Sequence, residues 1–253
     1  MKPSLAIEIE EAIRSAAEGR QPQPERRFHK HDEYISYGLY TADFWKIMKS
    51  FKTRVLALEL DDRLVLAESL LAEHIGEFGH AGIHVLALSV NDLEPTNFSS
   101  LDKMMDDFRS WSHVDHYCTD VIKPLLFEYP GEILKLLEEW NQSPNRFKRR
   151  ASVVVFTRDV ASSRQYTDEA LKLCDNLIWD PEDIVQKGVG WALKDNMRTS
   201  PERVKTYVKK LRSIGVPSTI TLYAIRDLKG EERKEILAVK KGSPVSFEID
   251  MKS

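Results

Sequence analysis

Two tryptophans and one aspartate are the side chains in this sequence best suited to chemistry on a positively charged group. Trp111 and Asp115 lie four residues apart, a spacing that puts both on one face of a helix. Trp191 ends a second stretch, Gln186-Lys187-Gly188-Val189-Gly190-Trp191. Because indole faces attract cations and a shielded carboxylate stabilises positive charge, this set indicates a site for a cationic group.

A third stretch, Asn145-Arg146-Phe147-Lys148-Arg149-Arg150, concentrates cations in the first two turns of a predicted helix. Cations are mildly unfavourable at a helix N-terminus, so helix stability does not explain this cluster. Phosphate contact would explain it, because arginine forks match phosphate oxygens. A solvated face and salt bridges to acidic residues are the alternatives.

The charge distribution also favours a polyanionic partner, although the net charge is only −3. Residues 1–144 contain 15 Lys and Arg against 25 Asp and Glu, whereas residues 145–253 contain 22 against 15. Such asymmetry is a known indication of a surface that faces nucleic acid. A helical protein with unevenly distributed, solvated charge would show the same counts.

Ordinary structural roles compete with the chemical ones. An aspartate in a first turn also favours the helix dipole, and tryptophans are usually packing residues. Gly188 and Gly190 each cost a helix interior roughly 1 kcal/mol, and close approach of another helix accounts for them as well as a ligand does. We expect Asp115 at the edge of the apolar stripe of its helix. That stripe consists of Val114, Cys118, Val121, Ile122 and Leu125.

Composition indicates a globular protein with a sizeable core. The chain has 253 residues, 42% hydrophobic and 30% charged, and no run approaches the roughly 18 apolar residues of a membrane span. The N-terminal segment lacks a secretory apolar core. With only Cys118 and Cys174 and no metal-ligand spacing, we expect no disulfide, no metal and a cytoplasmic location. Binding to DNA would associate the protein with the nucleoid.

Helix signals dominate the chain and predict an all-α fold. We expect Gly76, Gly79 and Gly82 to bound or loosen a turn before a helix over 83–90, and Ser99 or Ser100 to cap the next one. The clearer second half predicts helices from Pro130 to Trp140, over 145–159, and over 168–177 with Thr167 as cap. Further helices begin at Asp180-Pro181, Ser200-Pro201 and Pro217, and the last covers 229–240.

Trp140 and Trp179 lie 39 residues apart, and each precedes a capped helix that carries a lysine, Lys148 or Lys187. Two helices per unit of about 40 residues is the spacing of HEAT-type α-solenoids. We therefore predict a single HEAT-like-repeat α-solenoid over residues 1–242 with a concave DNA-binding surface. Residues 243–253 are predicted to be a C-terminal tail, in which apolar and polar residues alternate.

The three stretches together resemble the AlkD-type alkylpurine DNA glycosylases, the HEAT-like-repeat family of DNA alkylation repair proteins. Trp-x-x-x-Asp, Asn-x-x-x-Arg-Arg and Gln-Lys-x-x-Gly-Trp follow in the family's order between Arg109 and Leu228. Thr199-Ser200-Pro201 is similar to the start of the family's next helix. The N-terminal third matches only loosely.

The resemblance implies excision of N3-alkyladenine and N7-alkylguanine from duplex DNA by hydrolysis of the N-glycosidic bond, without base flipping. Trp111 and Trp191 would contact the lesion's deoxyribose and backbone, and Asp115 would be the catalytic carboxylate. The positions implied to bind DNA are Arg146, Lys148, Arg149, Arg150 and Lys187. A monomer without metal or other cofactor would suffice.

The chain departs from the family where Ser110 precedes Trp111, a position at which a second aromatic is common. Its N-terminal helices also carry more acidic residues than the family's. Two alternative interpretations remain. The protein could bind DNA structures on the same scaffold without catalysis, or it could be a HEAT-type scaffold for protein interactions. Asp115 argues against the first, and the arginine cluster argues against the second.

Overall fold

The computed structural model describes residues 2–27, 29 and 33–242, and almost all of its regular structure is helical. The all-α prediction is therefore confirmed. The chain divides into two compact units, residues 1–136 and 137–253, with the boundary inside one helix. The single solenoid domain over 1–242 stays a prediction, and the predicted tail over 243–253 lies outside the described residues.

Unit 1 contains seven α-helices and the first half of an eighth within its described residues. They are α1 (Ser4–Ala16), α2 (Thr41–Leu56), α3 (Leu60–Leu71), α4 (Gly76–Ser89), α5 (Phe98–Met104), α6 (Trp111–Tyr117), α7 (Lys123–Glu128) and α8 (Pro130–Asn141). A π-helical segment, Cys118–Ile122, joins α6 to α7 without a break. The predicted apolar stripe of this continuous helix, Val114 to Leu125, is fully buried, as expected.

The prediction for α4 is wrong at its start, because the helix begins at Gly76 rather than near Ile83. Its three glycines lie inside the helix, where they permit close approach of neighbouring groups. A β-carbon at Gly76 would lie 2.5 Å from the Tyr34 ring, and one at Gly79 would lie 2.5 Å from His113. Tertiary packing thus overrides the helix-breaking tendency of glycine. The cap prediction at Ser99 or Ser100 is also wrong, since α5 begins at Phe98.

A short antiparallel ladder in unit 1 pairs β1 (Gln23–Pro24) with β2 (Ile35–Ser36). The chain that follows β2 is held by Glu77, whose carboxylate accepts hydrogen bonds from the backbone N–H groups of Tyr37, at 3.0 Å, and Leu39, at 3.1 Å. Glu77 is buried, so these bonds replace the water that its charge would otherwise require. They fix the chain around Tyr34 against α4.

Unit 2 continues from the second half of α8 with seven further α-helices among its described residues. They are α9 (Arg146–Val154), α10 (Asp159–Ser163), α11 (Thr167–Asn176), α12 (Asp183–Thr199), α13 (Pro201–Ser213), α14 (Ser218–Ala224) and α15 (Gly230–Ala238). Most predicted starts agree within three residues. The helix predicted over 145–159 ends at Val154, and the positive φ of Arg158 excludes an α-helix through that residue.

Helix α12 packs closely against both α9 and α14, and its two glycines make this possible. A β-carbon at Gly190 would lie 2.6 Å from Tyr223 Cβ and 3.0 Å from the Ile220 carbonyl oxygen, both on α14. A β-carbon at Gly188 would lie 3.3 Å from side-chain atoms of Arg150 and Val154, on α9. Tight helix packing, one of the two explanations offered by the sequence, thus accounts for both glycines. No helix within the described residues is both long and apolar enough to cross a membrane.

The two glycines give a matched pair of substitutions. Gly190→Ala should lower the free energy of unfolding by about 1–3 kcal/mol, because its methyl group would overlap atoms close to the α14 backbone. Gly188→Ala should be near neutral, since side-chain atoms at 3.3–3.4 Å need to shift by only a few tenths of an ångström and alanine favours the helix by roughly 1 kcal/mol. Urea denaturation followed by circular dichroism measures both. Equal effects of the two substitutions would contradict this packing.

Candidate functional site

The ring of Trp111 ends an aromatic column in unit 1. Its centroid lies 4.9 Å from that of His29 at an interplanar angle of 17°, and His29 stacks on Tyr34 at 4.0 Å and 24°. Trp111 is the first residue of α6, and Ser110 caps that helix by accepting hydrogen bonds from the N–H groups of Ser112 and His113. The column and the cap hold a partly exposed indole in place.

Asp115 lies one turn after Trp111 on α6 and is half-buried, as its expected position at the edge of the apolar stripe requires. The Thr119 hydroxyl donates a 2.7 Å hydrogen bond to the Asp115 backbone carbonyl. This bond ties the last turn of α6 to the π-helical segment. A carboxylate in such a half-buried position is screened less by water, so it acts more strongly on a nearby cation.

A polar chain of histidines and serines runs behind α6. His80 Nε2 lies 3.2 Å from Ser112 Oγ, and His80 Nδ1 lies 3.1 Å from His116 Nδ1. His116 Nε2 in turn faces Asp120 Oδ2 at 3.3 Å. Together these contacts link Ser112 to Asp120 through His80 and His116.

Burial favours the neutral form of three histidines in this part of unit 1, His80, His84 and His113. It lowers the pKa of His113 to about 4, although a hydrogen bond from His113 Nε2–H to the Gly76 carbonyl acts in the opposite direction. Burial likewise lowers the pKa of His84 to about 4 and that of His80 well below its ordinary value, and the neighbouring histidines add to both shifts. His80, His84 and His113 therefore form an uncharged, aromatic-rich support for α6 at neutral pH.

These shifts predict an acid-sensitive unit 1. A folded-state pKa of about 4 lies below the ordinary histidine value near 6.5, so the unfolded chain takes up the proton first. The stabilisation is complete above about pH 6.5 and is lost as the pH falls toward 4. His113 should contribute up to about 1.4 kcal/mol per pH unit in this window. Urea denaturation between pH 7 and 5 gives the slope of the free energy of unfolding against pH. This slope should be smaller for His113→Gln than for the wild-type protein, and an unchanged slope would refute the lowered pKa of His113.

Trp191 is held by a buried carboxylate one helical turn further along α12. Its indole N–H donates a 2.9 Å hydrogen bond to Asp195 Oδ2, and Asp195 is only 4% exposed. The guanidinium carbon of Arg158 lies 5.3 Å from the centre of the Trp191 ring, within cation–π range. The indole is partly exposed. Unit 2 therefore also presents a fixed aromatic side chain, with a cation beside it.

The cations predicted to bind DNA are more buried than the sequence suggests. Lys148 and Arg150 are 8% and 5% exposed, and Arg150 Nη1 donates a 2.5 Å hydrogen bond to the Ile184 carbonyl on α12. Arg146 lies 3.8 Å from the Glu182 carboxylate. Lys187 pairs with Asp183 at 2.6 Å on an exposed surface. Arg146 and Arg150 thus connect α9 to the start of α12, whereas Lys187 pairs within α12, and phosphate contact through these cations stays a prediction.

The Arg149 side chain makes hydrogen bonds within unit 2. Its Nε donates a 2.6 Å hydrogen bond to Asp180 Oδ2, and its Nη1 donates to the carbonyls of Ser143 and Pro144 at 2.8 and 2.9 Å. Asp180 also accepts from the Glu182 backbone N–H, and α12 begins at Asp183 rather than at Asp180-Pro181. The alternative explanation of the cluster, pairing with carboxylates, thus holds for Arg149. We leave it out of the proposed DNA-contacting set.

This assignment predicts a stability effect. Arg149→Ala should lower the free energy of unfolding by about 3–5 kcal/mol, because it leaves the buried Asp180 carboxylate without its cation. Lys187→Ala breaks an exposed pair and should cost about 0–1 kcal/mol. Both are measured by urea denaturation at neutral pH. A loss for Arg149→Ala as small as that for Lys187→Ala would return Arg149 to the candidate DNA-binding residues.

The structure brings together Trp111 and Asp115 within unit 1, and Trp191, Arg150 and Lys187 on or against α12 within unit 2. Sequence reasoning missed the supports of both groups. Repeated histidines, His80-x-x-x-His84 and His113-x-x-His116, were visible in the sequence, and each spacing puts its pair on one face of a helix. Asp195 could have been found, because Trp191-x-x-x-Asp195 repeats the spacing of Trp111-x-x-x-Asp115.

Within the described part of the chain, no group of three or more His, Cys, Asp and Glu side chains could hold a metal ion.

Comparison with known proteins identifies the family. The model of the DNA alkylation repair enzyme family matches residues 9–228. This chain belongs to that family. No curated protein sequence matches it closely.

Two solved structures share the fold at low sequence identity. A predicted DNA alkylation repair enzyme from Enterococcus faecalis is 14% identical, with a TM-score of 0.70, over 83% of this chain and 98% of that one. The Pseudomonas fluorescens alkylpurine DNA glycosylase AlkC, solved bound to DNA containing an abasic site analog, is 16% identical with a TM-score of 0.55. That match covers 92% of this chain and 65% of the AlkC chain. Both matches support the all-α fold of a DNA alkylation repair enzyme.

Proposed function

We propose that this DNA alkylation repair enzyme is an AlkD-type DNA glycosylase that excises cationic alkylated purines, N3-alkyladenine and N7-alkylguanine, from duplex DNA. The supporting observation is the pairing on α6 of a partly exposed indole with a half-buried carboxylate, Trp111 and Asp115. Membership of the DNA alkylation repair enzyme family supports the substrate class. The solved complex of AlkC with DNA shows that a protein of similar fold binds DNA.

The chemistry requires little beyond that pair. An alkylated purine already carries a positive charge, so it departs without protonation by a general acid. As the N-glycosidic bond breaks, positive charge develops on the deoxyribose as an oxocarbenium ion. The Asp115 carboxylate stabilises this charge and orients the water that attacks the sugar. Since the purine need not enter a pocket to be protonated, the reaction can proceed without base flipping.

The two tryptophans add to this stabilisation. An indole face held against a cationic sugar contributes roughly 0.5–2 kcal/mol, provided that the ring is already oriented. The column of His29 and Tyr34 orients Trp111, and the Asp195 carboxylate orients Trp191. We assign both rings to the lesion's deoxyribose and backbone. Lys148, Arg150, Arg146 and Lys187 are assigned to electrostatic attraction of the phosphates.

Asp115→Asn tests the mechanism, because it removes the charge and keeps the shape. The variant should bind a duplex with one N7-methylguanine as the wild-type protein does, and release the base about 100-fold more slowly under single-turnover conditions. The effect falls on the rate because the opposing charge develops mostly in the transition state. The loss should be smaller for the labile N3-methyladenine.

Asp120→Asn is the matched control, since Asp120 is also half-buried, lies five residues further along the same continuous helix and faces His116. It should leave the single-turnover rate near the wild-type value. Wild-type rates in a folded Asp115→Asn protein would contradict the mechanism. A wild-type protein that binds DNA but releases no base would instead identify a catalytically silent DNA-binding protein.

A further inference from the structure

The Asp195 carboxylate connects two elements of unit 2 that are far apart in the sequence. One oxygen, Oδ2, accepts from the Trp191 indole N–H and from the Arg158 backbone N–H, each at 2.9 Å. The other oxygen, Oδ1, lies 3.3 Å from Lys194 Nζ and 3.4 Å from Arg198 Nη1. The carboxylate, only 4% exposed, is therefore surrounded by two N–H donors and two cationic side chains.

Arg158 occupies a backbone conformation that favours glycine or asparagine. Its φ is +53° and its ψ is −119°, and such a conformation costs a β-carbon-bearing residue of order 1–3 kcal/mol. Because the Asp195 carboxylate binds its N–H, the turn is held in place. If the turn alone mattered, glycine would make it at lower cost. The arginine at this position points to a use for its side chain.

The Arg158 side chain is exposed and lies over the Trp191 ring, with 5.3 Å between its guanidinium carbon and the ring centre. A guanidinium that stacks on an aromatic ring is oriented by it and keeps N–H groups in its plane for bidentate contact with an oxyanion. Lys194 and Arg198 lie beside the same carboxylate and also pair with Asp227. A flat ring with an oriented guanidinium suits one phosphate of a nucleic-acid backbone with its adjoining sugar.

We propose that Arg158 binds a phosphate of the DNA strand that Trp191 contacts, and that Asp195 is a positioning residue that fixes both side chains as one platform. The DNA ligand rests on the proposed function. The inference adds a phosphate-binding residue and its support, which lie outside the arginine cluster of α9.

Arg164 offers a matched control for Arg158. It too is an exposed arginine in unit 2 with a positive φ, +61°, and it ends α10 a few residues further along the chain. Arg158→Gly and Arg164→Gly each remove one cation and relieve one unfavourable backbone conformation. Neither substitution should lower the melting temperature.

The experiment measures affinity for an undamaged fluorescent duplex by anisotropy across a series of salt concentrations. Arg158→Gly should weaken binding about tenfold and reduce the slope of log K against log salt by about one, whereas Arg164→Gly should change neither. If Arg158→Gly binds like Arg164→Gly, the phosphate contact is refuted. Base release by the wild-type protein is measured separately, so loss of the proposed glycosylase activity would leave this result standing. A wild-type protein that does not bind DNA would overturn both proposals.

A double-mutant cycle tests the positioning role of Asp195. Asp195→Ala should weaken DNA binding as Arg158→Gly does, and the two together should lose little more than either alone, since they act through the same contact. Asp195→Asn keeps an oxygen that can accept from both N–H groups and should restore most of the affinity. Additive losses in the double variant would refute the platform, as would an Asp195→Ala protein that is folded and binds normally.

Discussion

The close approach of α12 to its neighbours is the constraint on which unit 2 depends. Gly190 lets α14 approach to a distance that no side chain would allow, and Gly188 does the same for α9 more loosely. With the helix fixed between two neighbours, its polar side chains have few alternative positions. The face that carries Trp191 is therefore rigid before any ligand arrives, which reduces the entropy lost on binding.

Close packing also forces carboxylates into places where water cannot reach them. Asp180 and Asp195 are both buried; Asp180 accepts from Arg149 of α9, and Asp195 accepts from Trp191 of its own helix and from the Arg158 backbone N–H. A buried charge with these partners holds its neighbours in a single arrangement. In unit 1, neutral histidines and stacked rings support α6 instead, so the half-buried Asp115 sits beside an uncharged support.

The sequence predicted the helical class, most helix starts in unit 2 and the buried stripe behind Asp115, because these follow from local periodicity and capping. It failed where packing overrides local preference. Gly76 and Gly79 read as breaks, yet α4 includes them because Tyr34 and His113 need the space. Arg149 resembled a phosphate ligand because its partner, Asp180, is 31 residues away. Such long-range pairs leave no periodic signal, although the repeated Trp-x-x-x-Asp spacing at Trp191 could have been noticed.

The proposed catalysis requires a leaving group that is already cationic, so the charge of the lesion is the property to vary. Two duplexes would be compared under single-turnover conditions, one with a single N7-methylguanine and one with a single hypoxanthine, which is a neutral purine. We expect release of N7-methylguanine at a rate well above the spontaneous one, and no release of hypoxanthine above background. Comparable release of both bases would show that the protein supplies a general acid, and would contradict catalysis by the Asp115 carboxylate alone.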